Sequence, residues 1–254
     1  QVLLIQMQGA SIDTSNTESY GAVQSLNGAG NYEFAIVKEV RGRTVTLTAP
    51  LIHSDYDVTG HIQLVSVPQY DHATVVGVLT CAPWNGETGG ILAFHANCLI
   101  LDGNIDISGK GFRGAVYADQ PGSVTQPHNG EYISDNAYYW AMKGEGIAGN
   151  GVEPFIYGKG SPSNGGGGGN NHNAGGGGGA NYGNGGIGGY GYQGVPGSFK
   201  IPQGVGGKGL AGIYNGKAGR LFTGGGGGSG HINHTHGSRG ANGGGITFIR
   251  AHRL

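Results

Sequence analysis

The sequence predicts an all-β protein: a stacked β-sandwich or β-helix-like scaffold that carries a glycine-rich insertion of packed polyglycine II helices. Glycine supplies 58 of the 254 residues, and charged residues make up only 11% of the chain. Both features disfavour a mostly helical fold, because glycine is a poor helix former and solvated helices need charged faces. Hydrophobic residues at 37% and aromatic residues at 9% are too frequent for a plain disordered chain.

Glycine content and charge divide the chain into parts. Residues 1–143 hold 16 glycines, with six basic and thirteen acidic residues, whereas residues 144–245 hold 42 glycines, with six basic and two acidic residues. We therefore predict a β-rich scaffold over residues 1–143, a polyglycine-helix region over residues 144–245 and a returning strand of the scaffold over residues 246–254.

The scaffold is predicted from short strand-like runs that show no helical periodicity. Residues 61–67 alternate between polar and apolar side chains, so one face of that strand should be buried. Arg41-Gly42-Arg43 separates two apolar runs and predicts a tight hairpin turn. The predicted strands cover residues 2–8, 32–40, 44–48, 61–67, 73–79, 90–94, 98–101 and 104–109.

A weak internal repeat links the two ends of the glycine-rich region. Residues 88–96 resemble residues 243–251, since both segments contain glycines followed by an apolar strand. A strand that recurs after a long insertion is typical of stacked β structure. The glycine-rich region is therefore expected to leave one scaffold and return to it.

Three runs of five glycines, at residues 165–169, 175–179 and 224–228, dominate the insertion. Glycine loses much conformational entropy on folding, so backbone hydrogen bonds must supply most of the order. A threefold helix of the polyproline II type makes no internal hydrogen bonds, and only glycine lets such helices approach closely enough to bond to one another. Apolar residues such as Ile187 and Tyr190 argue against a flexible linker; glycine-rich β-loops and disorder are the alternatives.

Four segments of the chain together carry a resemblance to known proteins. They are residues 104–114, the glycine blocks around residues 171–173, residues 220–228 and residues 240–246. Their combination is similar to the glycine-rich repeat region of large secreted bacterial surface proteins, some of them associated with gliding motility and exported by the type IX secretion route. The glycine blocks are also similar to the tail-fibre-tip adhesins of phages, which display variable loops from polyglycine helices.

The resemblance to bacterial surface proteins implies an extracellular or cell-surface location and an adhesive or structural role. The expected partner is a cell-surface glycan or protein, or copies of the chain itself, with the export machinery as a further candidate. A net charge of −1 argues against a dedicated nucleic-acid binder. No apolar run approaches 18 residues, so no membrane span is expected.

The densest aromatic patch, Tyr132, Tyr138, Tyr139 and Trp140, is the candidate binding site. Exposed tyrosine and tryptophan are common anchors of recognition and sugar stacking. The alternative, which the sequence favours, is that these rings cover the side of the glycine bundle.

Cysteines and histidines supply the other candidate sites. Cys81 and Cys98 are the only cysteines, and their even number in a chain with an extracellular resemblance predicts a disulfide, with two buried free thiols as the alternative. His231, His234 and His236 could take one metal ion, but no acidic residue or cysteine lies near them, so a polar loop is favoured. We expect neither a metal nor a cofactor.

The function predicted from the sequence is a non-enzymatic extracellular surface protein with an adhesive or structural role. One alternative is a phage-type receptor-binding tip. Another is a carbohydrate-active enzyme on a β-helix, because Asp55 with Asp57, or Asp102 with Asp106, could lie on one strand face. Two residues along a strand span about 6.6 Å, so Asp55 and Asp57 would have a carboxylate separation near those that hydrolysis uses. Aspartates beside glycine are equally typical of turns.

Overall fold

The computed structural model describes residues 1–117, 131–135, 140–149, 156–170, 173–191, 203–214, 219–232 and 237–254. In these ranges a 3₁₀ turn at Val58–Gly60 and a four-residue helix at Ala211–Tyr214 are the helical elements, and strands form the rest of the regular structure. The all-β class predicted from the sequence is confirmed. In chain order the strands are β1 Val2–Gln6, β2 Ser11–Ile12, β3 Val23–Ser25, β4 Tyr32–Ala35, β5 Val37–Arg41, β6 Thr44–Leu47, β7 Ile62–Ser66, β8 Gln69–Val75, β9 Val78–Leu79, β10 Ile91–Leu101, β11 Asn104–Ile105 and β12 Ile246–Arg253.

The first half of the scaffold is antiparallel. Strand β1 lies between β4 and β7, and its Leu3 and Ile5 are fully buried. Strands β5 and β6 pair as the predicted hairpin, with Arg41 opposite Thr44. Gly42 turns the chain there with a φ of 59°, a left-handed conformation that glycine adopts without steric cost.

The second half of the scaffold is a parallel sheet. Strand β10 lies between β8 and β12, and the short strands β9 and β11 pair in the same parallel sense. Ile91 is the register partner of Ile246, and Ala93 is the partner of Phe248. The two copies of the sequence repeat therefore lie side by side as neighbouring parallel strands.

The predicted disulfide is wrong, because Cys81 and Cys98 are free thiols. The prediction assumed that the strands before and after Pro83 fold back on each other as a hairpin. Cys98 instead lies in β10 between His72 of β8 and Arg253 of β12. Cys81 follows β9, which pairs with β11, so the parallel arrangement separates the two cysteines.

The glycine-rich region is an array of extended segments joined by backbone hydrogen bonds, and residues 224–230 illustrate its pattern. The first, fourth and seventh N–H groups of this segment donate to residues 238–244, the second and fifth donate to residues 177–180, and the third and sixth donate to residues 142–145. Donors three residues apart thus bond to the same neighbour. That period matches a polyproline II-type helix and differs from the period of a strand or an α-helix.

We interpret this array as packed polyglycine II-type helices. None of the glycines in the three five-residue runs has a positive φ. Packing is close, since a Cβ added at Gly177 would lie 2.1 Å from the carbonyl oxygen of Val205. The array also includes residues 111–115 and 141–143, which hydrogen-bond to the glycine segments although the sequence assigned them to the scaffold.

The buried carboxylate of Glu145 joins the strand scaffold to the glycine array. It accepts hydrogen bonds from Trp84 Nε1 at 3.0 Å, from Gln8 Nε2 at 3.1 Å and from Arg113 Nε at 3.0 Å. The backbone carbonyl of Glu145 accepts a further bond from the N–H of Gly226. Charge-assisted bonds to three separate parts of the chain fix the array against the scaffold.

Candidate functional site

Two of the four predicted aromatic site residues lie in the described part of the chain, and both pack against the glycine array. Trp140 is only 7% exposed and forms a β-bridge with Asn170, so it offers little surface to a ligand. The Nζ atom of Lys159 lies 4.3 Å from the ring centroid of Tyr132, and burial raises the pKa of this tyrosine. Tyr138 and Tyr139 lie outside the described residues.

The histidine cluster is described at one position. His231 is buried, and its Nδ1 accepts a hydrogen bond from the backbone N–H of Asn173 at 3.4 Å. His234 and His236 lie outside the described residues. Within the described ranges, no group of three His, Cys, Asp or Glu residues is arranged to hold a metal ion.

Two of the four aspartates considered for catalysis, Asp57 and Asp106, have local structural roles. The backbone N–H of Thr59 donates to Asp57 Oδ1 at the start of the 3₁₀ turn, and the N–H of Ser108 donates to Asp106 Oδ1 in the turn after β11. These bonds lower the pKa of both carboxyl groups. Asp55 Oδ1 accepts a hydrogen bond from a buried asparagine side chain. The bonds at Asp57 and Asp106 are Asx-type bonds, which stabilise turns.

Residues 182–190, the outer glycine segment, form an exposed surface of the array that sequence reasoning did not identify as a site. Tyr182, Ile187 and Tyr190 are 67%, 69% and 61% exposed. A Cβ at Gly186 or Gly189 would meet no heavy atom within 4 Å. The outer glycine segment therefore presents large side chains and open backbone to solvent.

Backbone hydrogen bonds hold the inner side of the outer glycine segment at four points. The N–H groups of Gly185 and Gly188 donate to residues 204–207, and the carbonyls of Gly186 and Gly189 accept from residues 175–178. Within the described part of the chain, the N–H groups of Gly186, Ile187, Gly189 and Tyr190 make no hydrogen bond. One side of the segment is thus fixed, while the other side keeps free donors, as an edge strand does.

A signal for this surface exists in the sequence. Asn184, Ile187 and Tyr190 follow one another at intervals of three residues among glycines. In a threefold helix, residues three apart lie on one face. The same three-residue spacing places Gly185 and Gly188 on the inward face, where an added Cβ would lie 2.2 Å or less from a carbonyl oxygen.

Comparison of the chain with protein-family models, curated proteins and solved structures gives no match. Across the described ranges, no helix is both long enough and apolar enough to cross a lipid bilayer.

Proposed function

We propose that this chain is a non-enzymatic extracellular surface protein with an adhesive or structural role, and that the outer glycine segment is its contact surface. The observation that carries the proposal is the exposure of Tyr182, Ile187 and Tyr190 on a backbone that is hydrogen-bonded at four points. Its partner is a cell-surface glycan or protein, or another copy of the chain.

The fixed backbone favours binding because it reduces the entropy lost on association. Flexible loops must be ordered when they bind, whereas the outer glycine segment is already held by its neighbours. Tyrosine supplies a large amphipathic contact area with few rotatable bonds. Free N–H groups beside the rings add hydrogen-bond donors for hydroxyl or carbonyl oxygens of a partner.

The size of the surface predicts weak binding by one copy. Two buried tyrosine side chains would remove about 300 Å² from water, worth about 7 kcal/mol at roughly 25 cal/mol per Å². Association costs of about 4–15 kcal/mol oppose this gain. Adhesion through this surface therefore requires several copies acting together, which suits a protein displayed at high density.

The phage-type receptor-binding tip remains the second candidate, because it would use the same display of side chains from glycine helices. The alternative of a carbohydrate-active enzyme gains no support from the aspartates. Asp57 and Asp106 accept hydrogen bonds within their own turns, and Asp55 accepts one from the side chain of Asn31.

The test measures retention of the protein on surfaces coated with bacterial cell-wall polysaccharide or with the protein itself. Ile187→Ser and Tyr190→Ser should each reduce retention of multivalent protein at least tenfold. Ile52→Ser is the matched control, since Ile52 is 84% exposed in the loop between β6 and the 3₁₀ turn. Equal retention of all three variants and the wild-type chain would refute the proposal.

A further inference from the structure

A polar pocket of about 410 Å³ lies on the parallel sheet, where β8, β10 and β12 run side by side. Gln69, His95 and Arg250 occupy one register row across the three strands. The three polar residues two positions further along the same strands also line the pocket. The side chains relevant to recognition are Gln69, Asp71, His95, Asn97, Arg250 and His252.

The pocket contains a positive charge that lacks an ionic partner. Within the described part of the chain, Arg250 forms no salt bridge. The pocket carboxylate, Asp71, accepts a hydrogen bond from Asn97 Nδ2 at 2.9 Å instead. A guanidinium presents a planar fork of donors that matches a carboxylate in two parallel hydrogen bonds. Arg250 is therefore placed to receive an anion from outside the chain.

His95 supplies a second indication of a ligand. Its Nε2 atom is buried and makes no hydrogen bond in the described structure, while its ring packs against Phe34 with centroids 5.7 Å apart. Burial lowers the pKa of His95, and the nearby charges of Arg250 and His252 lower it further. A buried polar atom without a partner is costly, and a polar ligand in the pocket would remove that cost.

The Asp71–Asn97 pair indicates which groups the ligand carries besides its anion. A sugar hydroxyl both donates and accepts hydrogen bonds, and this pair offers a carboxylate acceptor beside an amide that can do both. Gln69 adds a second amide on the same row as Arg250. The pocket volume is near the lower end for small-molecule sites, which suits one or two sugar rings.

We propose that this pocket binds an acidic saccharide, with the sugar carboxylate on Arg250 and sugar hydroxyls on Asp71 and Asn97. The proposal goes beyond the adhesive role of the outer glycine segment, because the pocket lies on the strand scaffold and uses none of the residues of that segment. The two proposals can therefore fail separately.

The test is calorimetric titration of the whole chain with glucuronate and galacturonate, beside glucose and acetate. We expect uronate binding in the millimolar range, at least tenfold tighter than binding of glucose or acetate. Arg250→Gln should weaken uronate binding at least tenfold. Arg41→Gln is the control for charge, since Arg41 lies on β5 and pairs with Glu39.

Thermal unfolding of each variant shows whether it has folded, and Asn97→Ala gives a second disruption of the pocket if Arg250→Gln is unstable. Absence of uronate binding would overturn the proposal. Binding of glucose or acetate as tight as that of uronate would also overturn it, as would equal weakening by Arg250→Gln and Arg41→Gln.

Discussion

Substitution of Gly177 by alanine tests whether the glycine array is packed as the structure shows. The new Cβ would lie 2.1 Å from the carbonyl oxygen of Val205 and 2.5 Å from its carbonyl carbon. Ordinary contacts of Cβ atoms begin near 3.4 Å. The neighbouring segment must therefore move by about 1.3 Å, the difference between 3.4 and 2.1 Å, to accept a single methyl group.

The expected loss of stability follows from the bonds that such a movement disturbs. The N–H of Gly177 donates to Gly167, and its carbonyl accepts from Gly228, both at 2.8 Å. Overpacking costs about 1–3 kcal/mol, and each buried amide left unpaired costs about 1–3 kcal/mol. If the movement breaks one of these two bonds, the two costs add, and we expect Gly177→Ala to lower the free energy of unfolding by about 2–6 kcal/mol. That loss corresponds to a fall of roughly 4–24 °C in the unfolding midpoint.

Gly186→Ala is the matched control, because it makes the same chemical change in the same region. No heavy atom lies within 4 Å of a Cβ at Gly186, and its φ is not positive. The control should remain within about 1 kcal/mol of wild type, with a slight gain expected because alanine restricts the unfolded chain. Differential scanning calorimetry of the three proteins measures the effect. Equal midpoints for Gly177→Ala and wild type would refute the packed array.

Two further predictions concern the buried Lys143 and the two free cysteines. Lys143 is buried, and in the part of the chain that the structure describes its Nζ has no hydrogen-bond partner and lies 3.7 Å from the ring centroid of Tyr20. Burial lowers the pKa of Lys143 to about 6. In the unfolded chain this lysine has its ordinary pKa of 10.5. Between pH 6 and pH 10.5 the unfolded chain therefore binds more protons than the folded chain, so wild type loses stability as the pH falls through this range. Lys143→Met should therefore be more stable than wild type by an amount that grows as the pH falls through this window. At pH 7.5 the difference in free energy of unfolding should be on the order of 4 kcal/mol, reduced by the lost contact of the lysine with the Tyr20 ring. Denaturant unfolding measures the difference, and a difference that does not change with pH would contradict the prediction. Because Cys81 and Cys98 are free, reductant should leave the unfolding midpoint unchanged, whereas loss of a bridge would cost about 3 kcal/mol.

Local signals made much of the scaffold predictable. The hairpin around Gly42 follows from a turn residue between two strand-like runs, and it needs no information from elsewhere in the chain. The similarity of residues 88–96 to residues 243–251 also predicted a return to one scaffold, and the structure adds that Ile91 pairs with Ile246. These features are encoded by residues close in sequence or by similarity between segments, so inspection of the chain can find them.

The absence of the predicted disulfide and the presence of the polar pocket both follow from how the strands pair, which the sequence does not display. Spacing alone cannot distinguish a hairpin from a parallel crossover, and the parallel pairing of β10 with β8 separates the two cysteines. The pocket joins residues near positions 70, 96 and 251 across the whole glycine-rich insertion. Once the pairing of the repeats is accepted, however, Arg250 must lie beside His95, since both occupy the same position of the repeat.

A glycine array cannot supply its own apolar core, and this requirement explains why it is joined to a strand scaffold. Its glycines bring backbone hydrogen bonds but almost no apolar area, and burial of apolar area is the main favourable term in folding. The core therefore draws Phe112, Leu210 and Phe222 from the array into one cluster with Leu3 and Ile5 of β1. The scaffold anchors one side of the array through this cluster and through Glu145. Among the described residues, the outer glycine segment contributes no side chain to this cluster, and its Ile187 and Tyr190 are exposed, as the proposed contact surface requires.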